Sequence, residues 1–173
     1  MIFRLPLKNE KTQILRAFDR WGTFDYFKDK LLMIQVLQET RMVCLVSDVL
    51  QASVKILEPY HVGLVIGHLK KQFMPSLAGA DLFARHAREN NKFYIVVNEK
   101  AENLVLYGRD VMGDSIINAS ESLCQNELVI LLNTKFEAIA IGRTRYSGKL
   151  LFEKGKVTIS NITDAGYYLR KER

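Results

Sequence analysis

The second half of the chain consists of short apolar runs separated by glycine, asparagine and aspartate. These runs are Phe93–Val97, Asn103–Leu106, Leu128–Leu132, Ala138–Gly142, Lys149–Phe152, Lys156–Ile159 and Gly166–Leu169. Short runs of this kind bounded by turn residues are typical of β-strands. Several of them in close succession predict a small barrel or sandwich rather than a parallel sheet.

One stretch of this half, from Leu106 to Gly148, carries the candidate working surface. It begins with Gly108-Arg-Asp-Val111, which we interpret as a turn into a helix, and it ends with the strand Ala138–Gly142 followed by Arg143 and Arg145. Because these arginines alternate with Thr144, a continuing strand would project both to the same face. We therefore expect two fixed positive charges at the end of a β domain, placed to bind adjacent phosphates.

The first half mixes helical and strand patterns. A first helix is predicted from Asn9, its cap, to Gly22, with Ile14, Leu15, Phe18 and Trp21 at helical spacing. A second is predicted from Ser47 to Glu58, carrying Val49, Leu50, Val54 and Leu57, and a third after Pro75 with Ser76 as cap. Strands are predicted at Leu31–Leu37 and Met42–Val46, joined as a hairpin, and at Val62–Leu69. The fold class is therefore α+β, with a mostly antiparallel sheet and flanking helices in the first half.

The most polar break, Arg88–Lys92, separates the two halves. We predict an α/β domain over residues 1–90 and a small barrel or sandwich of short strands over residues 93–173, the region that the resemblance described below implies to be a pseudo-barrel. The aromatic segment Thr23–Phe27 reads as a second edge of the first core, with a base-stacking platform or a partner surface as the alternatives.

Charge is distributed unevenly along the 173 residues, whose formal net charge is +6. Residues 1–91 carry 13 Lys/Arg and 9 Asp/Glu, residues 92–142 carry 4 and 7, and residues 143–173 carry 8 and 3. A basic end next to an acidic middle favours a polyanionic partner such as RNA, although basic segments are often only solvated faces.

The sequence lacks the signals that are typical of several other classes of protein. No apolar run reaches the ~18 residues that span a bilayer, and the N-terminus does not read as a secretory signal, so we expect no membrane partner and a cytoplasmic location. The metal-site, nucleotide-binding and nucleophile motifs HExxH, GxGxxG, GxxxxGK[ST] and GxSxG do not occur. The three histidines are not spaced like metal ligands. Cys44 and Cys124 are both expected to be buried thiols. We therefore expect no enzyme activity, metal, cofactor or small-molecule substrate.

Residues 94–173 resemble a PUA domain, the small RNA-binding barrel named after pseudouridine synthases and archaeosine transglycosylases. The resemblance lies in Leu106-Tyr-Gly-Arg-Asp-Val111, in Asn126-Glu-Leu-Val-Ile130, and in Ala138-Ile-Ala-Ile-Gly142 running into Arg143–Ser147. It implies that Gly108 and Arg109, at the expected helix start, line an RNA groove. A glycine needed only for its backbone angles is the alternative.

With Ile66-Gly67, the Phe73–Ala87 segment and Asp164-Ala-Gly-Tyr-Tyr-Leu-Arg170, the whole chain resembles the Nip-seven ribosome-biogenesis family. The resemblance implies a pre-PUA domain followed by a PUA domain, without catalysis, that binds rRNA precursors and assists large-subunit rRNA processing and assembly. It also implies nucleolar or nuclear location if the source is eukaryotic, and ribosome-assembly proteins as partners of the N-terminal domain. An adaptor in translation or an accessory subunit of an RNA-modifying complex is the alternative function.

The candidate RNA-binding residues form what we call the basic rim. They are Arg143, Arg145, Lys149, Lys154, Lys156, Arg170 and Lys171, with Gly108 and Arg109 beside them. Family members often carry basic residues just before the final Asp-x-Gly, where this chain has the uncharged Ser160, Asn161 and Thr163. Tyr146, Tyr167 and Tyr168 are interleaved with the basic residues, and a strand would expose at most one of Tyr167 and Tyr168.

Overall fold

A computed structural model of the chain describes residues 2–51, 59–167 and Arg170. The chain divides into two compact units, residues 1–79 and residues 80–173. This division lies within a helix, about ten residues before the polar break of the sequence. No helix within the described ranges is long and apolar enough to cross a membrane.

The first unit is built on a five-stranded antiparallel sheet whose strands pair in chain order. They are β1 (Ile2–Arg4), β2 (Leu31–Leu37), β3 (Thr40–Val46), β4 (Leu64–Leu69) and β5 (Phe73–Pro75). The predicted hairpin is formed by β2 and β3, with Leu37 paired to Thr40 across a two-residue turn. The short strand β5 was not predicted.

Two helices, α1 (Lys8–Arg20) and α2 (Phe24–Phe27), supply aromatic rings to the core of this unit. Phe18 is fully buried and stacks on Phe27, with 4.7 Å between ring centroids, and it meets the ring of Phe73 edge-on at 5.8 Å. Gly22, with φ of 67°, follows the end of α1 as the pattern predicted. The predicted cap at Asn9 is wrong, because α1 already begins at Lys8 and its N-cap residue is Leu7.

A buried carboxylate fixes the beginning of α1. Glu10 is 2% exposed; its two oxygens accept hydrogen bonds from Arg4 at 2.6 and 2.8 Å, and a third comes from Arg41 at 3.3 Å. The backbone N–H of Leu7 also donates to it, at 2.9 Å. The hydrogen bonds from Arg4 lower the pKa of Glu10 to about 2, against the opposing effect of burial.

The third helix, α3 (Leu77–Glu89), begins where the sequence predicted. Ser76 is its cap, because the Ser76 hydroxyl accepts from the backbone N–H of Gly79 at 2.9 Å. Residues 48–51 are helical after Ser47, whereas Val54 and Leu57 lie outside the described residues. Of the two cysteines, Cys44 is buried, which raises its thiol pKa to about 11, but Cys124 is exposed, contrary to prediction.

The second unit contains a six-stranded sheet that curls into a nearly closed pseudo-barrel. Its strands are β6 (Tyr94–Val97), β7 (Val111–Met112), β8 (Ile116–Ala119), β9 (Leu128–Leu132), β10 (Ala138–Thr144) and β11 (Val157–Asp164), in the spatial order β7-β11-β10-β9-β6-β8. The outermost strands β7 and β8 are joined directly by the 3-10 turn Gly113–Ser115. Since three residues span only a short distance, the two edges of the sheet must approach each other.

Three of the predicted strands in this unit are wrong. Residues 103–106 belong to helix α4 (Glu99–Leu106), which is capped by Asn98 and buries Ala101 and Val105 one turn apart. Residues 149–152 form a 3-10 turn, and Tyr167 and Arg170 are helical, with residues 168–169 outside the described ranges. A short apolar run contains too few residues to show whether its hydrophobic period is that of a strand or of a helix, and that ambiguity explains these errors. Strand β8 was not predicted.

Candidate nucleic-acid interface

The end of β10 carries two arginines on either side of a buried threonine. Thr144 is 2% exposed; its hydroxyl donates to the Cys124 carbonyl at 2.6 Å and accepts from the Glu127 N–H at 2.8 Å. These bonds hold the loop before β9 against the end of β10. Because the neighbours of an inward-facing residue in a strand face outward, Arg143 and Arg145 project to one side, as the alternation predicted.

Both arginines line an open pocket with a volume of about 540 Å³, which we call the arginine pocket. Its lining residues are Gln125, Asn126, Arg143, Thr144, Arg145 and Ser160. Two arginines and two residues with side-chain amides therefore line one open cavity. Such a surface suits an anion with hydrogen-bonding groups of its own.

Arg143 is oriented by the loop before β9. Its Nη1 donates to the carbonyl of Asn126 at 2.9 Å and to the Asn126 Oδ1 atom at 3.3 Å. Within the described ranges, its Nε and Nη2 have no hydrogen-bond acceptor. Asn126 itself has a φ of 68°, a left-handed conformation that asparagine tolerates better than most residues.

Arg145 is oriented by two different elements. Its Nε donates to Ser160 Oγ at 2.8 Å, and its Nη2 donates to Asp110 Oδ2 at 2.6 Å. The other oxygen of Asp110 accepts from the backbone N–H of Asn161 at 2.9 Å. The interpretation of Gly108–Val111 as a turn into a helix is wrong, since Asp110 precedes strand β7 and positions an arginine instead.

The three lysines of the basic rim lie elsewhere. Lys149 is in the 3-10 turn and Lys154 and Lys156 follow it; all three are exposed and none lines the arginine pocket. Lys156 forms an ion pair with Glu153 at 2.7 Å, and this hydrogen bond raises the pKa of Lys156. The strand that was expected to carry Lys149 is not formed.

Arg170 is engaged within the protein. Its guanidinium donates to both oxygens of the buried Asp164, at 2.8 and 2.9 Å, and also to the Leu106 carbonyl. The hydrogen bond to Asp164 raises the pKa of Arg170. The geometry makes Arg170 an anchor for the end of the chain. Lys171 lies outside the described residues.

Gly108 and Arg109 follow a helix instead of preceding one, so the predicted helix start is wrong. The N–H of Gly108 donates to Val105 O at 2.8 Å and that of Arg109 donates to Leu104 O at 3.0 Å, which is a Schellman ending of α4. Gly108 has the positive φ, 81°, that such an ending requires. The exposed amides of a helix N-terminus are therefore not available here to bind phosphate.

Four residues of this site were absent from the sequence-based set: Asp110, Gln125, Asn126 and Ser160. Hydrogen bonds between distant segments hold Asp110, Asn126 and Ser160 to the arginines, and such bonds leave no periodic signal in the sequence. Gln125 precedes Asn126 and lines the same pocket. Asp110 and Asn126 lie in two of the sequence blocks that carry the resemblance, which was the signal that could have pointed to them, and the uncharged Ser160 accepts from Arg145. Among the described residues, no group of three His, Cys, Asp or Glu side chains is arranged to hold a metal ion.

The aromatic residues interleaved with the basic rim, and those of the Trp21–Phe27 segment, differ in their exposure. Tyr167 is 43% exposed and helical, while Tyr168 lies outside the described residues. In the Trp21–Phe27 segment, Trp21 and Phe27 are buried, as a core edge requires, whereas Phe24 and Tyr26 are 37% and 41% exposed.

Comparison with known families gives matches to both halves. A model described as the UPF0113 PUA domain matches residues 93–173, and a model described as the NIP7/UPF0113 pre-PUA domain matches residues 3–77. A UPF0113 protein of Archaeoglobus fulgidus is 33% identical over 175 aligned positions, which cover 100% of this chain and 97% of that protein.

Solved structures show the same fold. A conserved PUA domain protein from Thermoplasma acidophilum superimposes with a TM-score of 0.71 at 16% identity, covering 99% of both chains. A hypothetical protein from Pyrococcus horikoshii OT3 also gives a TM-score of 0.71, at 18% identity and 95% coverage of both chains.

Proposed function

Since this chain belongs to the UPF0113 family and joins a pre-PUA domain to a PUA domain, we propose that it is a non-catalytic RNA-binding factor in ribosome biogenesis. In this proposal the PUA domain binds single-stranded or loop segments of rRNA precursors. The pre-PUA domain binds ribosome-assembly proteins. The complex assists large-subunit rRNA processing and assembly.

The observation that carries the proposal is the placement of Arg143 and Arg145 in one open pocket of the PUA domain. RNA affinity in a binding module comes mainly from basic side chains that neutralise phosphates. Both guanidiniums are oriented by neutral or acidic neighbours before any ligand arrives, so little side-chain freedom is lost when a phosphate binds. Guanidinium also pairs with phosphate through two parallel hydrogen bonds.

The proposed role of the first unit rests on its exposed apolar side chains. Phe24 and Tyr26 are each more than one-third exposed, and Tyr60 is 69% exposed. Aromatic side chains are enriched where proteins bind each other, because they bury a large area with few rotatable bonds. These residues are candidates for contacts with assembly proteins.

The binding test is fluorescence anisotropy with a U-rich single-stranded RNA over a salt series. If about four phosphates are neutralised, log K falls against log salt with a slope of about −3, and Arg143→Glu/Arg145→Glu makes the slope shallower by about 1.4. Lys70→Glu/Lys71→Glu, with the same change of charge on exposed residues of the first unit, is the matched control. Failure of the wild type to bind, or equal effects of both variants, would contradict the proposal.

The cellular test is depletion of the protein in its source organism, followed by sedimentation of ribosomal subunits and analysis of precursor rRNA. We expect fewer large subunits and more unprocessed precursor, restored by the wild type and by the Lys70/Lys71 control but not by Arg143→Glu/Arg145→Glu. Normal subunit levels with an altered pattern of RNA modification would favour an accessory subunit of an RNA-modifying complex. Normal processing with reduced initiation would favour a translation adaptor.

A further inference from the structure

The arginine pocket offers more than positive charge. Gln125 and Asn126 are exposed at its edge, and each carries an amide that both donates and accepts hydrogen bonds. Asn126 Oδ1 already accepts from Arg143, whereas the Gln125 amide has no protein partner among the described residues. Phosphate needs only donors, so an amide that offers both functions is suited to the edge of a base.

The two arginines leave a defined set of donors for a ligand. Asp110 and Ser160 accept from Nη2 and Nε of Arg145, so both hydrogens of Nη1 and the second hydrogen of Nη2 remain as donors. Arg143 retains Nε and Nη2, the pair that can bind one phosphate through parallel hydrogen bonds. The phosphate site is thus on the Arg143 side of Thr144, with Arg145 contributing charge and its remaining N–H donors.

The size of the pocket is compatible with a small ligand. A volume of about 540 Å³ lies within the ~300 to 1,000 Å³ of ordinary small-ligand sites. Such a volume has room for one nucleotide. A base inside a duplex also has its pairing edge occupied, whereas an unpaired base can turn out of its stack at little cost.

We infer that the arginine pocket receives a single unpaired nucleotide of RNA, with its phosphate on Arg143 and Arg145 and its base edge on the amide of Gln125. This inference rests on the proposed RNA-binding function and specifies that the part of the RNA recognised by the pocket is one nucleotide. It makes Gln125 a specificity-determining residue. The arginines, by contrast, supply affinity to any RNA segment.

The test compares a fully paired RNA hairpin with four hairpins that each contain one additional, bulged nucleotide. The four bulged hairpins differ only in the base at the bulge. We expect the wild type to bind the best bulged hairpin about tenfold more tightly than the fully paired one, as one good amide-to-base contact provides. Gln125→Ala should reduce this ratio to near one while leaving the salt dependence of binding unchanged. Gln72→Ala, an exposed glutamine in the first unit, is the matched control.

The outcomes distinguish failure of the nucleotide pocket from failure of the proposed RNA-binding function. Equal binding of bulged and paired hairpins, or a bulge preference that survives Gln125→Ala, would overturn the nucleotide pocket and leave RNA binding intact. Loss of the bulge preference in Gln72→Ala as well would also overturn it. Absence of binding to every hairpin and to single-stranded RNA would overturn the proposed function itself.

Discussion

The Nη2 atom of Arg145 lies 2.6 Å from Oδ2 of Asp110, and the same carboxylate accepts the backbone N–H of Asn161 through its other oxygen. One acidic side chain thereby joins the segment after α4 to the neighbouring strands β10 and β11. The contact fixes the guanidinium of Arg145 and also neutralises part of its charge. Asp110 is therefore expected to limit non-specific attraction of RNA.

Replacement of Asp110 by asparagine should raise affinity for single-stranded RNA about two- to fivefold at low salt and steepen the salt dependence, since Arg145 would no longer share its charge with a carboxylate. The Asn161 N–H would retain an amide oxygen as acceptor. Anisotropy titrations at several salt concentrations would measure this. Asp114→Asn, an exposed neighbour in the 3-10 turn, is the control, and an equal increase there would assign the effect to net charge alone.

The pair Arg170 and Asp164 is expected to matter for stability. Arg170→Gln leaves the 4% exposed Asp164 carboxylate without its charged partner, so the melting temperature should fall by several degrees. The double variant Asp164→Asn/Arg170→Gln should recover part of the loss, because it removes the uncompensated buried charge. Thermal unfolding of the two single variants and the double variant measures the coupling. Independent, additive losses would contradict the predicted pairing.

Gly166 is required for a close approach of two backbone segments. A Cβ atom at Gly166 would lie 1.9 Å from the Leu106 carbonyl oxygen, so Gly166→Ala forces the C-terminal turn away from α4. We expect a loss of about 1–3 kcal/mol, as for other overpacked sites. Gly155→Ala, where φ is 72° and no atom lies within 4 Å of the new Cβ, isolates backbone strain and should cost about 1 kcal/mol. Chemical denaturation that ranks Gly155→Ala as the more damaging change would contradict this account.

Glu10 should make the first unit sensitive to acid. Its pKa is lowered to about 2 in the folded protein, so its stabilising effect is complete above its ordinary value near 4.5 and is lost as pH falls from there towards 2. At pH 7, Glu10→Gln should reduce the free energy of unfolding by about 3 kcal/mol, because Arg4 and Arg41 lose their shared carboxylate. The difference between variant and wild type should shrink steadily between pH 5 and 2. Denaturant titrations across this range measure it, with the exposed Glu39→Gln as control.

Much of the strand framework was determined by the sequence itself. The β2/β3 hairpin, strands β6, β9 and β10, and the cap of α3 at Ser76 all follow from local patterns, because buried strands and helix caps depend on neighbouring residues. The alternation around Thr144 likewise placed Arg143 and Arg145 on one face. These features arise within a few residues of the chain.

Tertiary structure decided what surrounds those arginines and which basic residues remain open to a ligand. Residues 103–106 form a helix because Asn98 caps it and because Ala101 and Val105 are buried in the barrel core, although the apolar run alone resembles a strand. Asp110, Ser160 and Asn126 reach the arginines through hydrogen bonds across 15 to 35 positions of sequence. Arg170, a candidate ligand contact in the sequence, is held by Asp164. Pairings of this kind depend on how the folded chain brings distant residues together, so no local sequence pattern predicts them.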